Sequence, residues 1–76
     1  MGVSVEQPSD RLLTLLMEDA STTVSYVGEA PTGSSTSASV WRIKRLDTTS
    51  GLELKFADGN TFFDNVWDNR ASLSYL

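Results

Sequence analysis

The chain has 76 residues, a net charge of −4, no cysteine and no histidine. This length holds one small domain, and the composition excludes disulfides, thiolate metal sites and the commonest zinc ligand. The acidic balance argues against nucleic acid as a partner, and so small a core is often marginal alone, which leaves oligomerisation or docking as support.

Residues 1–10, MGVSVEQPSD, hold a proline and no strong period, and read as an extended or mobile arm. Ser9 or Asp10 is placed to cap a helix in RLLTLLMED. Leu12, Leu13, Leu16 and Met17 recur at helical spacing, with Thr14 and Glu18 off that face. A short helix is the preferred reading. A strand is the alternative, because periodicity does not settle so short an apolar run. So short a helix does not stand alone in water. Its four apolar residues, Leu12, Leu13, Leu16 and Met17, are therefore expected to meet a partner: this domain, a sister subunit or a host surface.

Residues 21–29, STTVSYVGE, are rich in β-branched and aromatic types and predict a first strand. GEAPTGSSTSAS, residues 28–39, has almost nothing to bury and reads as a long linking loop. It lacks the GK[ST] ending and following helix that a phosphate cradle needs. In 40–47, VWRIKRLD, Trp41 and Ile43 alternate with Arg42 and Lys44. An unbroken strand would turn Arg45 inward, so a bulge or a strand end is expected there. TTSG at 48–51 is a turn, and LELKF at 52–56 is the clearest strand, apolar at even steps. Asp58-Gly59 is a hairpin signal, with 61–63 running back antiparallel. Residues 64–69 predict a bend or helical turn, and 70–76 a last strand with Leu73 and Tyr75 on one face.

Arg42, Lys44 and Arg45 form the basic cluster. It is read as a solvated strand face, with contact to an acidic protein surface as the sharper alternative. Asp58, Asp64 and Asp68, with Asn60, Asn65 and Asn69, supply oxygens that suit calcium. The EF-hand order is missing, however, and Asp and Asn bonding to nearby backbone explains the group as turn chemistry. A glycosidase carboxylate pair would need a walled cleft that so short a chain has little material to build. Asp64 or Asp68 is expected to pair with Arg70 as a fork, unless Arg70 reaches a neighbouring subunit. Trp41 and Trp67 are read as core, with an interface anchor as the competing role. No stretch approaches the roughly 20 apolar residues of a membrane helix, and 12–17 is too short for a signal-peptide core. The chain therefore reads as made in the cytoplasm without an export address.

The residues YVG at 26–28, the Gly/Thr/Ser stretch 32–39, WRI at 41–43, DG at 58–59 and the close W-D-x-R-x-S-L-x-Y at 67–75 form one pattern. It resembles a family of small virion structural proteins of tailed bacteriophages, encoded among tail and fibre genes. The resemblance spans residues 22–76. It brings no catalytic residue with it, and no cofactor or metal is expected.

The expected architecture is mainly β, a small antiparallel meander or sandwich-like unit over 21–76 with an arm or short helix over 1–20. About four or five short strands with one covered face make a persistent sheet. Trp41, Phe56, Phe63, Trp67, Leu73 and Tyr75 are the expected core. The expected function is a virion structural role, docking on a larger symmetric assembly at the neck, tail or fibre attachment, or decorating the capsid. Its partners would be other virion proteins and copies of itself, without nucleic acid or membrane. A non-virion regulator that binds a host protein is the rival, and an enzyme would need a pocket with convergent polar groups.

Overall fold

The computed structural model describes residues 13–76; the arm over 1–10, its Ser9 or Asp10 cap and Leu12 lie outside the described residues. Five strands follow in order: β1 (Leu13–Asp19), β2 (Val24–Pro31), β3 (Ser39–Asp47), β4 (Glu53–Phe56) and β5 (Asn65–Val66). A 3-10 helix, Trp67–Ser72, comes next. The sheet is antiparallel with the order β1-β2-β3-β4, and β5 also pairs with β3. The mainly β expectation is met.

Over 13–17 the expected helix is replaced by β1. Leucine and methionine favour a helix locally, but context overrides that preference. β1 pairs with β2 along its whole length, from Leu13↔Pro31 to Asp19↔Ser25. Ser21 closes the connection, its Oγ accepting the N–H groups of Thr23 and Val24. The sheet thus begins inside the stretch expected to be an arm.

Pairing sets the two faces of the sheet, because cross-strand partners project to the same side. One side carries Leu16, Tyr26, Gly28, Ala30, Trp41, Ile43 and Arg45. The C-terminal segment lies against it and supplies Trp67, Leu73 and Tyr75. Trp41 is fully buried, and its ring centroid is 5.8 Å from that of Trp67. Tyr26 and Tyr75 form a second pair, also 5.8 Å apart. Tilted pairs at this spacing suit the aromatic quadrupole.

The Gly/Ser-rich stretch is more than a linker. β2 runs through Gly28-Glu29-Ala30 to Pro31, and Ala30 is fully buried. Gly28 allows the C-terminal layer to approach: a Cβ there would lie 2.6 Å from Cζ3 of Trp67 and 3.1 Å from Cε3 of Trp41. The loop that follows folds back over the tryptophans. Trp41 Nε1 donates to the Ser35 carbonyl at 2.9 Å, and the Asp68 N–H donates to Thr36 at 3.1 Å. A buried indole N–H thereby finds its acceptor.

Neither a bulge nor a strand end occurs at Arg45. Pairing continues through Leu46 and Asp47, so Arg45 turns inward and its guanidinium lies 4.9 Å from the Tyr75 ring centroid. The Arg45 Nε is buried without a hydrogen-bond partner. Cation–π attraction to Tyr75 offsets part of that cost.

Asp58 and Gly59 both take positive φ, +61° and +72°, as a primed hairpin turn requires. The expected return along 61–63 does not follow. Asn60 Oδ1 accepts the Phe62 N–H, and the chain turns away. Ala57 pairs instead with Tyr75, and the Asp58 N–H donates to the Ser74 carbonyl at 2.7 Å. The last strand expected over 70–76 is reduced to this single bridge after the 3-10 helix.

The Tyr75 hydroxyl donates to the Arg70 carbonyl at 2.8 Å. Tyr75→Phe removes that bond and is expected to cost about 1 kcal/mol at neutral pH, read from urea unfolding. Burial, aided by Tyr26, pushes the Tyr75 phenol up from 10.0 to about 12. A folded-state value above the unfolded one gives stability that is complete below 10.0 and is lost as pH rises towards 12. The urea midpoint should therefore fall across this window, and should fall less in Tyr75→Phe. Equal falls in both proteins would contradict the assignment.

Candidate interaction surface

The other side of the sheet has no layer against it among the described residues. Its cross-strand rows follow from the register. Leu13 stands beside Pro31, and Leu15 beside Glu29 and then Arg42. Met17, Val27, Lys44 and Phe56 form one row, and Asp19, Ser25, Leu46 and Leu54 form the next. Most of these side chains are apolar. Leu13, Leu15, Met17 and Leu54 are 46%, 62%, 70% and 49% exposed. These exposed groups lie along β1 and at Leu54, on either side of the buried Val27 and the charged Glu29, Arg42 and Lys44. Exposed apolar side chains gathered on one face of a small protein mark a place where something else docks.

Among the described residues, Arg42 and Glu29 are the ion pair on this face. Arg42 holds Glu29 through both Nε and Nη2, at 2.8 and 2.6 Å from Oε1. The same guanidinium lies 4.7 Å from the Phe63 ring centroid and 5.9 Å from that of Phe56. Lys44 Nζ sits 5.7 Å from the Phe56 centroid. Asp19 accepts a hydrogen bond from Ser25 Oγ at 2.7 Å. The Glu29–Arg42 pair is half-buried, so removing one partner would leave the other poorly compensated.

β1 is also the edge of the sheet in the order β1-β2-β3-β4. A strand edge offers N–H and C=O groups to a further strand. Glu18, on the covered side of β1, ties this edge to the C-terminal layer: Arg70 Nε donates to its Oε1 at 2.7 Å. That bond holds the Glu18 carboxyl below its ordinary range and raises the Arg70 guanidinium. Arg70 also lies over the Trp67 ring, 4.7 Å from its centroid. The expected fork to Asp64 or Asp68 is therefore replaced by a bond to Glu18. The expectation missed it because it treated residues 1–20 as separate from the domain.

The expected partner contacts divide between the two faces. Leu13 and Met17 lie on the open face, whereas Leu16 packs against the core. Leu12 is outside the described residues. Helical spacing grouped 12, 13, 16 and 17; a strand groups 13, 15 and 17. Leu15 was missed for that reason, although L-x-L-x-M was visible as an alternation.

The expected core also needs correction. Trp41, Trp67 and Tyr75 are buried, and Leu73 packs against them. Phe56 and Phe63 do not join this cluster. Phe56 pairs with Lys44, which places it on the open face, and Phe63 is 41% exposed beside Arg42. The apolar positions of 52–56 thus face away from the tryptophans. Arg42 and Lys44 do lie opposite Trp41 and Ile43, yet they sit among apolar side chains rather than on a purely solvated face.

Turn chemistry accounts for Asn60 and Asp58 in the oxygen-rich group. Asn65 is buried and donates to Asp64 Oδ1 at 3.3 Å. Among the described residues no helix is long and apolar enough to cross a membrane, which says nothing of strands. Comparison with protein-family models, with curated proteins and with solved structures finds no match.

Proposed function

We propose that this chain is a structural component of a tailed-bacteriophage particle, made in the host cytoplasm and docked on a larger symmetric assembly at the neck, tail or fibre attachment. The observation that carries this reading is the closing pattern W-D-x-R-x-S-L-x-Y, taken with what its residues do. Trp67, Leu73 and Tyr75 close the covered face, and Arg70 links that closure to β1. Docking would use the β1 edge, where backbone pairing supplies affinity and alternate side chains supply specificity. Leu13, Leu15 and Met17 would stand beside the added strand on the open face. Such a protein needs a rigid small body and an adhesive margin, not a reaction centre. Capsid decoration is the same mechanism at another position on the particle.

Mass spectrometry of purified, salt-washed virions tests the proposal. The chain is expected among the particle proteins at a fixed ratio to the other components. Its absence from washed particles that contain all other tail and capsid proteins would move the reading to a soluble regulator acting on a host protein.

A further inference from the structure

We propose that the open face is covered by the same face of a second copy, giving a two-layer sandwich related by a two-fold axis parallel to the strands. This goes beyond docking at the β1 edge, because it leaves that edge free.

The arrangement of charge selects the partner and the axis. The row Leu15, Glu29, Arg42 places opposite charges on the neighbouring central strands β2 and β3. A two-fold axis parallel to the strands exchanges β2 with β3 and keeps each row in register. Glu29 of one copy then faces Arg42 of the other, and Arg42 faces Glu29. The Met17 to Phe56 row behaves likewise: Met17 faces Phe56, and Val27 faces the stem of Lys44. The alternative in-plane axis, perpendicular to the strands, keeps β3 over β3. It brings Arg42 towards Lys44 of the other copy, a repulsive contact. The charged Glu29–Arg42 row is thus complementary to itself in one orientation and not in the other.

Size is consistent with this pairing. Strands rising about 3.3 Å per residue and spaced about 4.8 Å apart give a face of roughly 400 Å². Two such corrugated faces bury on the order of 1,000 Å² in total, below the roughly 1,200–2,000 Å² of standard stable interfaces and in the range of weaker, concentration-dependent association. Packed sheets stand about 10 Å apart, so the cross-copy contacts would be shared with charges already paired within each copy, Arg42 to Glu29 at 2.6 Å. The chain has no cysteine, so a sandwich of two copies supplies core that no disulfide replaces.

Sedimentation equilibrium of the purified full chain, at up to about 100 µM, tests the proposal. The unmodified protein is expected to be a dimer. Glu29→Arg alone and Arg42→Glu alone should each weaken association at least about tenfold, because each sets like charges face to face. An equimolar mixture of the two variants should associate again, since both cross-copy contacts then join opposite charges. Met17→Lys should give a monomer with an unchanged far-ultraviolet circular dichroism spectrum, which separates loss of pairing from loss of folding. A monomeric unmodified protein overturns the proposal. So does a dimer that tolerates all three changes, or a mixture that does not recover. Failure here leaves particle incorporation untouched, and absence from particles leaves this dimer untouched, so the two readings fail separately.

Discussion

Trp67→Ala is expected to lower stability by about 3–5 kcal/mol, the cost of emptying a large buried aromatic site. Trp67 is 6% exposed and belongs to both halves of the structure. Its ring meets Trp41, lies over Gly28 and carries the Arg70 guanidinium on its face. Truncation would remove the first contact, leave a cavity over Gly28 and deprive Arg70 of its aromatic support. The remaining residues cannot collapse freely into that space, because β2 and β3 are held by pairing on both sides of it. Small domains have only a few kcal/mol to lose. The variant should therefore show a largely unfolded far-ultraviolet spectrum at 25 °C without denaturant. A change near zero in the urea midpoint would mean that Trp67 is an interface residue rather than the centre of the fold.

The second large effect is expected from an addition. Gly28→Ala places a methyl group against Cε3 and Cζ3 of Trp67 and close to Cε3 of Trp41. The strain is steric rather than conformational, since Gly28 lies within β2 in ordinary extended pairing. Two rings would have to shift together, and overpacking of this kind costs about 1–3 kcal/mol. The urea midpoint should fall, and the near-ultraviolet tryptophan signal should change even where the protein remains folded. A variant as stable as the original, with an unaltered near-ultraviolet spectrum, would show that the C-terminal layer does not sit on β2. Gly59→Ala is a poor substitute for this test, because positive φ there adds a backbone penalty of its own.

Sequence periodicity made the strands at 40–47 and 52–56 legible, and the positive φ of Asp58 and Gly59 agrees with the hairpin signal. It did not reveal which side of the sheet each strand buries. A regular alternation marks two faces, but pairing decides which of them meets the covering layer. LELKF is the clearest case: Leu54 and Phe56 looked like core and line the open face. The run LLTLLM was ambiguous for a different reason. Its residues favour a helix in isolation, while seven pairs with β2 favour a strand only once β2 exists. The Glu18–Arg70 bond joins positions 52 apart in the chain, beyond any local pattern. The C-terminal segment was legible as a source of core residues, because Trp67 and Tyr75 have no smaller role in a domain this size. Its form was not legible, since one bridge and a 3-10 helix leave little periodic trace.

The layer that closes the tryptophan side is made of residues 67–75, downstream of all five strands. A chain lacking these residues would leave Trp41, Ile43 and Tyr26 on the covered face open to water. Such a truncated chain should bind chaperones and be cut readily by protease, while restoring the closing residues should end both susceptibilities together.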